Sequence, residues 1–375
     1  MSVIQRQQLI DAKRWVVKVG SALLTDEGRR LDQTMIHNLV QQLVVLQARG
    51  CEVVLVSSGA VAAGVVRLGF EQRPRHLHDL QAAAAVGQST LIRAYEDALA
   101  PHGITTALVL LSHDDIRARD RYLNARGTLN TLLGMGVLAV VNENDSVVTD
   151  EIRFGDNDTL AALVANLIDA DALLILTDQD GLFDKNPREY PDAKLVARAD
   201  TADNRLDSMV SDGGEFGRGG MITKLRAARI GARSGTATVI AHGRQVNIIP
   251  RVAEGLELGT FFTTEHRPDS ARKQWLASLM HSKGSLTLDD GAVNSLLQQG
   301  RSLLPIGMTA VAGDFVRGDL VSCYDTAGKE IFRGLVNYNA SEAAKLIKTP
   351  SSAIEKALGY GGDPEMIHRD NLVRV

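Results

Sequence analysis

The sequence predicts an α/β protein: a three-layer αβα sandwich on a mainly parallel sheet, followed by a small β-rich domain. Three observations carry this. Apolar strand-like runs alternate with helical periodicities over about 260 residues. Hydrophobic residues make up 45% of the chain but aromatics only 4%, so its apolar content is mostly Ala, Val, Leu and Ile, as buried parallel strands and the helices covering them require. The texture then changes at TTEHRPDSARKQW, residues 263 to 275, which is polar and contains Pro268.

The elements follow in order. Trp15 to Val19 is a short buried strand running into Gly20 and Ser21. From Thr34 onward Ile36, Leu39, Val40, Leu43 and Val44 recur at helical spacing, and Gly50 stands where that helix should end. Val53 to Val56 is a strand, followed by Ser57-Ser58-Gly59 and an Ala-rich helix; a second Ala-rich helix runs near Gln81 to Leu99. Thr106 to Leu111, Val137 to Val141, Ala172 to Leu176 and Thr238 to Ala241 read as strands. Tyr122 to Leu133, Ala161 to Ile168 and Lys224 to Ala232 read as helices. The expected domains are 1–265, a linker 266–282, and 283–375, where SLTL, FVRGDLVSCY and EIFRGLVNY are separated by Gly and Asp turns. The stretch from Ser341 begins helical and becomes irregular.

Bulk properties exclude several classes. Net charge is −4, so nothing global points to nucleic acid. Cys51 and Cys323 form neither a metal-ligand spacing nor a disulfide framework, which fits a reducing cytoplasm. The start, MSVIQRQQLIDAKR, lacks the apolar core of a signal peptide, and the run VVLVSSGAVAAGVV, broken by Ser57, Ser58 and Gly59, is too short to span a membrane.

Five segments carry candidate chemistry, each set at a strand C-terminus, where ligands bind in open α/β sheets. Lys18 beside Gly20 and Ser21 can place an ammonium on a phosphate. Ser57-Ser58-Gly59-Ala60 opens a helix N-terminus to an anion. Asn142-Glu143-Asn144-Asp145 and Gly155-Asp156-Asn157-Asp158 put amides and carboxylates beside apolar elements, a costly arrangement unless they meet a ligand or one another. Thr177-Asp178-Gln179-Asp180-Gly181-Leu182 follows a strand. Gly217-Arg218-Gly219-Gly220-Met221-Ile222-Thr223-Lys224 sets glycines before a helix with a lysine in its first turn, as a nucleotide phosphate requires. Each alone also fits an ordinary turn or flexible loop. There is no G-x-x-x-x-G-K-[ST] and no strand-placed G-x-G-x-x-G, which argues against a P-loop kinase and a dinucleotide enzyme.

Together, VVKVGSALLT, LVSSGAVAAG, AAVGQ, VVNENDSV, GDND, LTDQDGLF and GGMITK resemble the glutamate 5-kinase family of the amino-acid kinase superfamily. GSLTLDDGA, SLLPIGM and FVRGDLV resemble its C-terminal PUA domain, and LGYGGDPEMIHRDNLV its tail. The resemblance implies ATP as co-substrate with Mg²⁺, L-glutamate as acceptor and an acyl phosphate that glutamyl phosphate reductase consumes in proline synthesis. It also implies feedback by proline and a homo-oligomer, dimer or tetramer. Lys18 and Lys224 then match the catalytic lysines and Asp158 the residue orienting them. Ser58, Asp145, Asn157 and Asn142 match substrate contacts. Thr177, Asp178, and Arg218, Gly219, Gly220, Met221, Ile222, Thr223 and Lys224 match nucleotide contacts, with Lys18 also on the phosphates. No protein metal ligand is implied. Ser21 and Arg218 each stand where many members have Thr.

The alternatives are a kinase for N-acetylglutamate or aspartate, an RNA-binding protein and an inactive regulatory protein. From Lys283 onward ten basic and eleven acidic residues leave the second domain at −1, against an RNA binder built on phosphate contacts. Retention of both lysines and the named carboxylates argues against an inactive protein.

Overall fold

A computed structural model describes residues 5–26, 30–149, 152, 157–210, 220–263 and 282–374, which fall into two compact units. Strands β1 (Arg14–Val19), β2 (Glu52–Val56), β3 (Thr106–Leu111), β4 (Leu138–Glu143), β5 (Ala172–Thr177), β6 (Arg198–Asp200), β7 (Ala237–His242) and β8 (Thr260–Thr263) form one sheet. Their order is β3-β4-β2-β1-β5-β7-β8-β6. Neighbours run parallel except β7 and β8.

The central strands β1, β2, β4 and β5 are buried along almost their whole length, so they read as continuous apolar runs rather than alternating ones. One face, with Trp15, Val17 and Val19, packs on α1 (Gln33–Ala48) and α3 (Leu77–Leu99). Strand alternation turns Val16 and Lys18 to the other face. Helix α1 opens on Asp32, which accepts from the Met35 amide at 2.9 Å, and is followed by Gly50 at φ +79°. Helix α2 (Ala60–Arg67) crosses α3 at backbone contact: a Cβ on Gly64 would lie 1.7 Å from the Ala83 carbonyl oxygen.

The expected strands and helices of this unit are present, displaced by a few residues at their ends. Strands β6 and β8 are additional; at three and four residues they are too short to show a period. The second unit carries a five-stranded sheet: β9 (Gly284–Leu288), β10 (Met308–Gly313), β11 (Leu320–Tyr324), β12 (Glu330–Leu335) and β13 (Leu372–Arg374), in the order β10-β9-β11-β12-β13. Leu286, Met308, Phe315, Cys323 and Phe332 are among its core residues. The tail expected to be irregular ends as β13 on β12, Arg374 opposite Phe332; pairing, not local pattern, makes it a strand. The proposed linker 266–282, apart from Ser282, lies outside the described residues.

Candidate active site

Strand register assembles the site. Lys18 lies opposite Val56 of β2 and Ile175 of β5, and Val56 lies opposite Val141 of β4. Gly20 and Ser57-Ser58, which follow β1 and β2, therefore come together at one end of the sheet with Asn142 and Thr177, at the ends of β4 and β5. The chain turns to β2 on one side of β1 and to β5 on the other, which opens the crevice such sheets use for ligands. A cleft of about 1890 Å³ lies there, with Lys18, Ser58, Asn142, Asp145, Thr177, Asp178, Gly220, Met221, Ile222 and Lys224 on its walls. Small-molecule sites commonly occupy roughly 300–1,000 Å³, so this one has room for two reactants.

At its floor is an ion cluster. Asp158, in the first turn of α4 (Asn157–Leu167), is fully buried. Lys18 Nζ lies 2.7 Å from its Oδ1, and Lys224 Nζ lies 3.1 Å from its Oδ2. Thr223 Oγ1 lies 2.6 Å from the same Oδ2. Lys224 and Thr223 are in the first turn of α5 (Met221–Arg233), whose N-cap, Gly220, gives no side-chain cap. A lysine at a helix N-terminus opposes the helix dipole; Asp158 offsets that cost. Burial alone would raise the Asp158 carboxyl, but the charges of Lys18 and Lys224, with hydrogen bonds from Lys18 and Thr223, bring it down to about 2. Burial lowers the Lys224 ammonium, Asp158 opposes this and Lys18 adds to it. Two ammonium groups against one carboxylate leave one positive charge in a water-poor site.

Beside the cluster is a chain of amides. Asn157 Nδ2 faces the Ser58 Oγ at 3.0 Å, the Ser57 carbonyl at 3.1 Å and Asn142 Oδ1 at 3.0 Å. Ser57, Ser58, Asn142 and Asn157 are all buried. The Ser57-Ser58-Gly59 turn depends on Gly59, at φ +103° and with Leu31 Cδ2 3.3 Å from where a Cβ would sit. Asp145, also buried, follows β4, and its carbonyl accepts from Gln81 Nε2 at 2.9 Å. On the other side of the cleft, Thr177 Oγ1 donates to Asp178 Oδ1 at 3.1 Å, and Asp178 pairs with Arg188 at 3.6 Å.

The structure thus brings Lys18, Asp158, Thr223 and Lys224 into one cluster and Ser58, Asn142 and Asn157 into another, with Asp145, Thr177, Asp178, Gly220, Met221 and Ile222 on the cleft. Arg218 and Gly219 lie outside the described residues. The fifth segment departs from the expected position behind a strand: the described element before it is the helix Arg205–Val210. Gly220 marks a helix N-terminus, which requires nothing of what comes before. Among the described residues no group of three or more His, Cys, Asp or Glu side chains is placed to hold a metal ion.

Sequence reasoning gave no role to two residues under this site, Gln88, the last residue of the AAVGQ segment, and Tyr95. Gln88 Oε1 accepts from Asn142 Nδ2 at 3.2 Å, and the Tyr95 hydroxyl meets Ser57 Oγ at 2.9 Å. A signal was available: Ala84, Gly87, Gln88, Leu91 and Tyr95 share the buried stripe of α3, and a glutamine on such a stripe must find partners inside the protein.

Comparison with known proteins identifies two domains. The family model described as the amino acid kinase family matches residues 13–242, and the PUA domain model matches 284–358. The chain is 58% identical to a glutamate 5-kinase from Saccharophagus degradans, covering 99% of this chain and 100% of that one. It is 57% identical to one from Marinomonas sp., covering 99% of each, and 56% identical to one from Pseudomonas aeruginosa, covering 99% of this chain and 100% of that one. The chain belongs to the amino acid kinase family, with a PUA domain after the kinase domain, and is similar over its full length to relatives named glutamate 5-kinase.

Proposed function

We propose that this kinase transfers the γ-phosphoryl group of MgATP to the γ-carboxylate of L-glutamate, giving L-glutamyl 5-phosphate. The observation that carries the reading is the buried Asp158 holding Lys18 and Lys224 at the floor of a cleft large enough for both substrates. The γ-carboxylate has an ordinary pKa of about 4.3 and is already ionised at neutral pH, so the acceptor needs no general base. The difficulty is bringing an anion against a polyanion. The surplus positive charge of the lysine cluster offsets that repulsion and stabilises the transferring group. Transfer is direct and in line. Mg²⁺ arrives on the nucleotide as part of the substrate.

In this reading Lys18 and Lys224 contact the phosphoryl group and Asp158 orients them. Ser58, Asn142, Asp145 and Asn157 receive the amino acid. Thr177, Asp178 and the Gly220–Lys224 turn receive the nucleotide, with Arg218 and Gly219 assigned there by family resemblance. The acyl phosphate is reactive and passes to a reductase in proline synthesis. Proline shares the α-amino and α-carboxylate groups of glutamate, and we assign its feedback site to the Asp145 loop. A homo-oligomer in the cytoplasm is the expected setting. Among the described residues no helix is long and apolar enough to cross a membrane.

The test is ADP release measured with glutamate, N-acetylglutamate, aspartate and UMP in parallel, with hydroxylamine trapping the acyl phosphate. Glutamate- and Mg²⁺-dependent hydroxamate is expected. Equal or greater turnover with N-acetylglutamate sinks the assignment.

A further inference from the structure

The amide chain has a direction, and one backbone group sets it. The Glu143 N–H donates to Asn142 Oδ1 at 2.9 Å. A backbone N–H can only donate, so the Asn142 side-chain oxygen must face it, and its NH₂ must face the other way. That NH₂ meets Gln88, which must therefore present its oxygen, at 3.2 Å. The Gln88 NH₂ is then directed at the Glu143 carbonyl, 3.4 Å away. At the other end, Asn142 Oδ1 requires the NH₂ of Asn157, and the same NH₂ reaches Ser58 Oγ at 3.0 Å. Ser58 Oγ thus accepts from Asn157, and the order of donors and acceptors is fixed from Gln88 through Asn142 and Asn157 to Ser58. Ser58, Asn142 and Gln88 are 2%, 1% and 6% exposed, so water does not substitute freely along the chain.

Gln88 anchors this chain on a rigid element. It lies mid-way along the 23-residue helix α3. A Cβ on its neighbour Gly87 would lie 1.8 Å from the Ala60 carbonyl oxygen, so α3 sits against the start of α2 with no room to shift. Two turns further on, Tyr95 meets Ser57. One face of α3 therefore holds both the Ser57-Ser58 turn and the end of β4.

We propose that Gln88 is a positioning residue for the amino-acid subsite: through Asn142 and Asn157 it fixes the donor and acceptor order that holds the Asn157 side chain and the Ser58 hydroxyl in place for the acceptor. Gln88 does not itself line the cleft. This rests on the reading of the site given above. Removing the Gln88 oxygen leaves the Asn142 NH₂ buried without its acceptor, and the order of the chain beyond it is lost.

The test is kinetic and uses the full chain. Gln88→Met keeps the volume and removes both hydrogen-bonding groups. The KM for glutamate is expected to rise roughly tenfold, with less than about a twofold change in the KM for ATP. Gln88→Glu keeps an oxygen toward Asn142 and is expected to recover part of the loss. A Ser58→Ala background supplies the decisive comparison. If Gln88 acts through Ser58, adding Gln88→Met there changes the glutamate KM by less than about twofold. Full additivity of the two changes, or equal rises in both Michaelis constants, overturns the proposal and leaves Gln88 a packing residue. Should Gln88→Met not be recovered folded, Gln88→Asn, one methylene too short to reach Asn142, is put through the same cycle with the same two outcomes. Wild-type protein with no glutamate-dependent ADP release overturns the functional reading itself, an outcome distinct from an active wild type with additive variants.

Discussion

The ammonium of Lys18, at the end of the central strand, lies 2.7 Å from Oδ1 of Asp158, a carboxylate with no exposure to solvent. Its second oxygen holds Lys224 and Thr223, so one side chain ties the sheet to two helices. The first prediction concerns the lysines. Lys18→Ala and Lys224→Ala should each lower kcat by about a hundredfold, roughly 3 kcal/mol, while changing the KM for glutamate much less. Steady-state kinetics on folded protein decides this; near-normal kcat in either variant removes that lysine from the proposed chemistry.

Lys224 also makes a pH prediction. Burial, more than the repulsion from Lys18, lowers its pKa below the ordinary 10.5 despite Asp158. A lysine with a lowered value loses its proton earlier as pH rises. The kcat/KM for ATP, which reports the free enzyme, should therefore fall on the alkaline side below pH 10.5. Lys224→Arg, which stays charged, should move that limb upward. An alkaline limb at the same pH in both proteins would assign it to another group.

Asp158 links the site to stability. Its folded value, about 2, is below its ordinary 3.8. A depressed carboxylate contributes stability above its unfolded value and loses it as pH falls through the folded one. The contribution, roughly 2 kcal/mol, should be complete above about pH 4 and be lost toward about pH 2. Asp158→Asn leaves two buried ammonium groups without their counter-charge and should cost roughly 3–5 kcal/mol. Denaturant unfolding at neutral and acid pH measures both. A variant as stable as wild type at pH 7 would contradict the buried geometry.

Gly64 tests the scaffold. Gly→Ala inside a helix ordinarily stabilises by up to about 1 kcal/mol. Here the added methyl would meet the Ala83 carbonyl at 1.7 Å, so the sign should reverse. Gly64→Ala should destabilise by roughly 1–3 kcal/mol or more, read as a lower Tm, and should raise the KM for glutamate because α2 carries the Ser58 turn. A higher Tm would show that the two helices separate without cost.

The second domain is expected to be dispensable for chemistry. Its core residues, from Leu286 to Ile367, form a cluster of their own, and every proposed catalytic residue lies between Lys18 and Lys224. Deleting the chain from about Lys283 should leave a folded kinase. Size-exclusion chromatography with a glutamate-dependent ADP assay checks this; a monodisperse but inactive fragment would place part of the site in the second domain.

The sequence by itself determined the sheet, the helices on it and the segments that carry chemistry. Buried parallel strands demand continuous apolar runs such as Trp15–Val19, helices demand a 3.6-residue period, and Gly59 and Gly220 mark the turns between strand and helix or the start of a helix. All of this is local. Tertiary structure decided which of those residues meet. No pattern within the chain relates Lys18 to Lys224, because both reach Asp158 only when strand register and the packing of α4 and α5 bring them there. Strands β6 and β8, and β13 in the second unit, were illegible for the same reason: three or four residues have no period, and pairing alone makes them strands. Gln88 stands between the two cases. Its place on the buried stripe of α3 was readable, but its partner Asn142 lies 54 residues away, and only the fold supplies the hydrogen bond that a buried amide requires.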